Sequence, residues 1–151
     1  MHGVRIPVIA ATLSILLLGA PTGAIEKCDL VADYMLEHEA DPQFGISIYQ
    51  CADLWRLDLE KFRGRSASGK ARWSVLDSVQ LPDVAPDEVV VSETCGIGDS
   101  PDKGIVAIGR QTDEPEFSRI RAAWRADKER ARWISVDAAT VHCWNEAAGF
   151  S

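Results

Sequence analysis

Four cysteines constrain this chain more than any other feature of its sequence. All of them follow residue 24, at Cys28, Cys51, Cys95 and Cys143. An even number of cysteines in a small exported domain predicts disulfides. Three pairings are possible, and we favour Cys28 with Cys51 and Cys95 with Cys143, because the first two flank one N-terminal unit. The alternative is a four-thiolate zinc site, although no two cysteines have the C-x-x-C spacing of such sites.

The expectation of export comes from the first 24 residues, which predict a secretory signal peptide. Arg5 is their only charged residue, an uncharged, mostly apolar run covers residues 6–20, and small residues follow at 22–24. The run is too short and too interrupted for a permanent membrane span, which takes about 20 apolar residues. We expect cleavage after Ala24, a periplasmic or secreted location and no membrane span in the product. An uncleaved anchor is the alternative.

The remaining residues, 25–151, predict a single globular domain. All 23 acidic residues but only 15 of the 16 basic ones lie in this part, so its net charge at neutral pH is −8. A negative protein repels nucleic acid and anionic lipid on average. We therefore expect no nucleic-acid partner.

The spacing of apolar residues predicts one helix followed by strands. Between Ile25 and Ala40 apolar residues recur at three and four positions, which favours an N-terminal helix that ends at Asp41 and Pro42. Beyond it, alternating residues predict strands near 44–49, 55–59, 73–81, 89–94, 105–108, 120–126 and 133–136. The turn formers in 96–104 predict a hairpin between two of these strands. For 48–62, a helix is the alternative.

These elements predict an α+β fold. One N-terminal helix would pack on an antiparallel meander sheet, or a small barrel, of about six or seven strands, stapled by the two disulfides. Four tryptophans lie within apolar alternation and are expected in the core: Trp55, Trp73, Trp124 and Trp133. Trp144 is the exception.

Residues 64–71, GRSASGKA, match the phosphate-binding pattern G-x-x-x-x-G-K-[ST] except at the last position. A phosphate loop needs a helix after it and a hydroxyl for magnesium. Here Ala71 has no hydroxyl, and the following residues are typical of a strand. We interpret the segment as a flexible loop between strands. Its neighbourhood is nevertheless basic, with Arg63, Arg65, Lys70 and Arg72.

A second basic cluster is the candidate face for an anion or a partner: Arg119, Arg121, Arg125 and Arg132. Guanidinium groups bind carboxylate and phosphate in a bidentate manner. The alternative is an outer face that is charged only to stay solvated. If this face lies beside the basic loop, the two clusters together would favour an anion or an acidic partner without any phosphate loop.

No set of residues predicts catalysis. Only His38 and His142 follow the signal segment, and Cys143 cannot be a nucleophile if it is in a disulfide. The chain has no G-x-S-x-G elbow. A carboxylate pair such as Asp33 and Glu37, at helical spacing, is the remaining possibility for a hydrolase. We predict no catalytic residue, no metal site and no cofactor.

The sequence therefore favours an exported, disulfide-stabilised binding protein, inhibitor-like or envelope-associated, with an acidic protein or an envelope component as its partner. It favours a non-enzymatic role. The alternatives are a small envelope hydrolase and a small-ligand carrier. The hydrolase requires a pocket with two carboxyl groups of raised pKa. The carrier requires an enclosed apolar cavity.

Overall fold

A computed structural model describes residues 27–38 and 42–149. This part of the chain is almost entirely β-structure, with eleven strands in three antiparallel sheets. Its only helical segments are 3₁₀ turns at Ala138–Thr140 and Glu146–Gly149, and neither is long or apolar enough to span a membrane. The prediction of an α+β fold with an N-terminal helix is therefore wrong. The predicted signal peptide lies outside the described residues.

The first sheet, here the front sheet, is a four-stranded meander in sequence order. Its strands are β1 (Cys28–Met35), β2 (Phe44–Cys51), β3 (Leu54–Arg65) and β4 (Ala71–Gln80). Residues 48–51 lie in β2 and residues 54–62 in β3, so the strand interpretation of this segment is confirmed and the helical one is wrong. In β2 and in the first half of β3, alternate residues point to the interior, as the sequence alternation predicts.

β1 occupies most of the segment that was expected to be a helix. It pairs with β2 over its whole length, but the register shifts between Leu30 and Ala32, which leaves Val31 in a bulge. An extra residue in a strand breaks the two-residue alternation that identifies a strand. The apolar residues on either side of the bulge therefore acquired a spacing of three and four. Pairing with β2 outweighs that local pattern.

The second sheet, here the central sheet, is built from β5 (Glu88–Val91), β8 (Ile105–Arg110), β9 (Ile120–Asp127) and β10 (Arg132–Val136). Its strand order is β10-β9-β8-β5. The predicted pairing of the 89–94 and 105–108 strands is confirmed, because β5 and β8 are antiparallel neighbours. The segment between them is more than a turn. It contributes two strands to a third sheet.

That third sheet, here the small sheet, consists of β6 (Cys95–Ile97), β7 (Ser100–Pro101) and β11 (Val141–Cys143), in the order β11-β6-β7. It covers the face of the central sheet that is turned away from the front sheet. The central sheet is therefore the middle layer, and its strand β8 is buried on both faces.

Two apolar cores fill the spaces between the layers. The core between the front and central sheets contains Ile46, Ile48, Leu57, Leu59, Leu81, Val106, Ile108, Trp124, Ala126 and Trp133. The core between the central and small sheets contains Val91, Cys95, Ile105, Ala107, Ala123, Val141 and Cys143. Successive residues of β8 alternate between the two cores, so Ile105 to Ile108 are all fully buried. A strand buried on both faces reads as an uninterrupted apolar run.

Both predicted disulfides are present, and they join Cys28 to Cys51 and Cys95 to Cys143. Each joins residues that are direct partners in an antiparallel ladder, the first between β1 and β2 and the second between β6 and β11. Each therefore fixes a strand close to one end of the chain. Because all four cysteines are oxidised, a four-thiolate zinc site is excluded.

We expect the double variant C95A/C143A to lose more unfolding free energy than C28A/C51A. The first disulfide spans 23 residues and the second 48, and a longer loop gains more from being closed. Loop closure alone is expected to add about 3 kcal/mol to the unfolding free energy for Cys28–Cys51 and about 4 kcal/mol for Cys95–Cys143. Cys95 and Cys143 also lie fully buried in the second core. Urea unfolding of both variants without reductant measures the order, and the reverse order would contradict this assignment of the cores.

Candidate binding surfaces

Positive charge is concentrated at the turn that joins β3 to β4. Residues 61–76, here the basic hairpin, contain five basic residues and no acidic one. Setting those five aside leaves 11 basic residues against 23 acidic ones in the rest of the chain, a balance of −12. The five are Lys61, Arg63, Arg65, Lys70 and Arg72. The positive charge is therefore concentrated in one hairpin, and the rest of the chain is strongly acidic.

The basic hairpin extends past the sheet to which it belongs. Pairing of β2 with β3 ends where Phe44 lies opposite Lys61. Beyond that point β3 pairs with β4 alone, as far as Arg65 opposite Ala71. At about 3.3 Å per residue, the strands extend roughly 13 Å from Phe62 to the turn. Seven of the ten residues in 63–72 are exposed, which leaves the end of the hairpin accessible.

Hydrogen bonds close the turn of the hairpin. Ser66 N–H donates to the Lys70 carbonyl at 2.8 Å, and Gly69 N–H donates to the Ser66 carbonyl at 2.9 Å. Gly69 has a φ of 81°, which few other residues adopt. The interpretation of this segment as a connection between strands is confirmed, but it is a hydrogen-bonded turn. Its flanks are the two strands of a hairpin, so the structural context of a phosphate loop is absent.

Three cations of the hairpin, Arg63, Lys70 and Arg72, form no ion pair with the residues that the structure describes. Arg63 Nε donates to Ser74 Oγ at 2.6 Å, and Arg72 Nη2 donates to the Arg63 carbonyl at 3.3 Å. Among the described residues, neither of them nor Lys70 has a carboxylate within ion-pair distance. In contrast, carboxylates lie within 4.0 Å of six basic side chains elsewhere: Arg56, Arg110, Arg121, Arg125, Lys128 and Arg130.

The candidate arginine face is partly neutralised. Arg121 binds both carboxylate oxygens of Glu88, at 2.6 and 2.7 Å, and this hydrogen bonding lowers the pKa of Glu88 to about 2. Arg125 pairs with Asp102 at 2.7 Å. Arg119 and Arg132 are exposed, and within the described ranges they form no ion pair. The face that sequence offered as a single cationic surface therefore retains two unpaired arginines.

The arginine face and the basic hairpin belong to different layers. Arg125 lies two residues after Ala123, whose side chain enters the core between the central and small sheets, so the Arg125 side chain points away from the front sheet, which carries the hairpin. Arg121 lies at the register shift between β8 and β9 and is held by Glu88. No hydrogen bond or ion pair joins Arg63, Lys70 or Arg72 to that face in the part of the chain described here. The two basic clusters are separate surfaces.

Asp33 and Glu37, the example of a possible carboxylate pair, do not face each other across a helical turn, because Asp33 lies in β1. Glu37 instead accepts a hydrogen bond from Phe44 N–H at 3.0 Å and pairs with Lys128 at 3.0 Å. Asp33 lines a cavity of about 140 Å³ on the outer face of the front sheet, together with Glu60. The helical spacing that suggested the first pair does not apply, because this segment is a strand.

The cavity beside Glu60 has an aromatic wall. Trp73, expected in the core, lies outside both cores and lines this cavity. The Trp73 ring packs over Gly45, where a Cβ would meet it at 3.4 Å, an ordinary van der Waals contact. Strand alternation alone did not distinguish the outer face from the inner one.

Burial raises the pKa of Glu60, and repulsion from Asp58 and Asp33 adds to it, while a hydrogen bond from Ser47 Oγ at 3.0 Å opposes the rise. A hydrolase would need a second carboxyl group of raised pKa in the same cavity as Glu60.

A histidine–carboxylate contact escaped the sequence analysis. His142 Nδ1 lies 2.7 Å from Glu116 Oε1, and both side chains are half exposed. Both residues line a cavity of about 390 Å³, and Ser118 also lines it. A nucleophile must contact its base, but no hydrogen bond joins Ser118 to His142. The 26 residues between His142 and Glu116 left no local motif to recognise.

The carrier alternative has no support in the interior. The space between the front and central sheets, where a barrel would hold its ligand, is filled by buried side chains. Comparison with known proteins gives no matching family model, no matching curated protein and no matching solved structure. The function has to be inferred from the surface of this chain alone.

Glu60→Gln is expected to raise the unfolding free energy at neutral pH. A raised pKa means that the folded state disfavours ionised Glu60, so the penalty is present above its ordinary pKa and absent below about pH 4. The gain should therefore disappear on acidification. Urea unfolding of wild type and variant at a series of pH values measures it.

Glu88→Gln is the matched control, because its expected change in unfolding free energy has the opposite sign. Its lowered pKa stabilises the folded protein above the ordinary pKa of glutamate, and that contribution is lost as the pH falls towards about 2. The variant should be less stable than wild type at neutral pH. A loss of stability in E60Q at neutral pH would contradict the environment assigned to Glu60.

Proposed function

We propose that this chain is an exported, disulfide-stabilised binding protein whose contact element is the basic hairpin and whose partner presents an acidic surface. The observation that carries the proposal is the separation of charge, five cations at residues 61–76 against a balance of −12 elsewhere. A projecting cationic element steers an anionic partner towards itself, although the protein as a whole is acidic.

Two further features support a role in binding. Hydrogen bonds within the turn hold the hairpin in one shape, so less conformational entropy is lost when a partner binds. Arg63 and Arg72 form no ion pair within residues 27–38 and 42–149, and guanidinium groups are the side chains best suited to carboxylate recognition. Export is supported by the signal-like first 24 residues and by the two disulfides, which persist in oxidising compartments.

Charge removal at the hairpin tests the proposal. We expect a fluorescently labelled hexaglutamate peptide to bind the wild-type protein in low salt and to bind R63Q/R72Q about 10-fold more weakly, since two charge-assisted contacts are removed. Fluorescence anisotropy measures the affinity.

The control is R119Q/R132Q, which removes two unpaired arginines from the other face. When both titrations are repeated at about 0.1 M ionic strength, its affinity for hexaglutamate should stay within about 2-fold of wild type, because exposed charges outside the contact are then largely screened. An equal loss in both double variants would show that net charge, and not the hairpin, governs binding.

A further inference from the structure

The outer face of the front sheet has a gap between its first and third strands. Met35 in β1 lies opposite Gly45 in β2, and Gly45 lies opposite Glu60 in β3, so the three positions form one row across the sheet. Residues directly opposite each other project to the same face. Because Gly45 has no side chain, space stays open between Met35 and Glu60. This space is part of the cavity of about 140 Å³ that Asp33 and Trp73 also line.

The carboxylates of this cavity have no cationic partner within residues 27–38 and 42–149. Glu60 accepts a hydrogen bond from Ser47 Oγ at 3.0 Å, and no basic side chain there lies within ion-pair distance of Glu60 or Asp33. The ammonium of Lys61, the next residue in β3, lies instead over the Phe44 ring, 4.7 Å from its centroid. Burial, and after it repulsion from the carboxylates nearby, raises the pKa of Glu60. A cation in the cavity would oppose both effects.

A site of the same kind, two residues earlier in β3 and on the same face, already contains its cation. The carboxylate of Asp58 is buried and accepts a hydrogen bond from Arg56 Nη2 at 3.0 Å. The guanidinium of Arg56 also lies over the Tyr49 ring, 4.7 Å from its centroid. A carboxylate and an aromatic ring together thus hold a cation. The cavity at Glu60 has the carboxylates and the ring of Trp73, but no cation of the described residues.

The lining of the cavity indicates which cation it suits. Calcium and magnesium are surrounded by oxygen ligands, whereas Trp73 and Met35 present apolar walls here. An ammonium group donates up to three hydrogen bonds to carboxylate oxygens and is attracted to an indole face. Its methylene chain would pack on the half-exposed side chains of Met35 and Val75, which flank the cavity. A neutral ligand would leave both carboxylates uncompensated.

We infer that this cavity binds an alkylammonium group. Glu60 and Asp33 are the carboxylates that pair with the group, and Trp73 is the ring over which it lies. The group belongs either to a free amine or to a lysine side chain of a partner, and both present the same chemistry. The net negative charge of the protein attracts such a ligand. The site takes the opposite charge from the anions that the basic hairpin attracts, so this inference goes beyond the proposed function.

Titration of ¹⁵N-labelled protein with n-butylammonium chloride tests the inference, because this cation reproduces the end of a lysine side chain. Saturable shift changes are expected at the amides of Gly45 and Ser47 and at the indole N–H of Trp73. E60Q should bind about 10-fold more weakly, since a charge-assisted contact is lost. This variant is expected to be more stable than wild type at neutral pH, so unfolding would not account for the loss.

Two controls separate the cavity from general attraction of cations. D99N removes the same charge from an exposed turn that does not line the cavity. At about 0.1 M ionic strength its affinity for butylammonium should stay within about 2-fold of wild type. n-Butanol, which has the same chain without the charge, should cause no saturable change. Equal losses in E60Q and D99N, equal binding of butanol, or no saturable change at Gly45 and Trp73 would overturn the inference.

A blocked tripeptide with a central lysine distinguishes the two sources of the ammonium group. Tighter binding of the peptide than of butylammonium, with the gain lost in E60Q, identifies a lysine side chain of a partner. Weaker binding of the peptide identifies a free amine. If butylammonium fails to bind while hexaglutamate still binds through the hairpin, this inference fails and the proposed function is unaffected. The reverse result overturns the proposed function alone.

Discussion

The burial of β8 on both faces is the constraint on which the rest of this structure depends. Val106 and Ile108 belong to one core and Ile105 and Ala107 to the other, so a layer has to cover each side. The front sheet supplies one cover, and the small sheet supplies the other. The second disulfide fastens the small sheet by joining β6 to β11, and the first fastens β1, the outermost strand of the front sheet.

The same arrangement explains why the basic hairpin is exposed. The front sheet needs only the lengths of β3 and β4 that cover the first core, and pairing with β2 ends at Lys61. The longer ends of the two strands lie beyond both cores and bury no residue. Their exposure and their exclusively positive charge are the features on which the proposed contact with an acidic partner rests.

The sequence predicted the parts of the fold that local pattern determines. Strand alternation located β2 to β4 and the main strands of the central sheet, and the cysteine count predicted both disulfides. The N-terminal strand could not be predicted, because the bulge at Val31 hides its alternation and pairing with β2 is a tertiary contact. Trp73 was assigned to the core for a related reason, since alternation does not say which face is buried.

The binding surface was predictable only in part. The basic residues near GRSASGKA are visible in the sequence. Their projection depends on where the pairing between β2 and β3 ends, which is a tertiary contact. The arginine face was equally visible, yet the partners that neutralise it, Glu88 and Asp102, are 33 and 23 residues away from Arg121 and Arg125 in the chain. Contacts at that separation carry no local signal. The location of the signal segment and the single-domain organisation remain predictions.

The most direct test of the central claim is a map of which backbone amides respond to an anionic ligand. Titration of ¹⁵N-labelled protein with hexaglutamate, followed by NMR, reports every amide at once. The account predicts that shift changes are concentrated in residues 62–73 and are absent around Arg119 and Arg132. Changes centred on the arginine face, or spread evenly over both clusters, would contradict the assignment of the basic hairpin as the binding element.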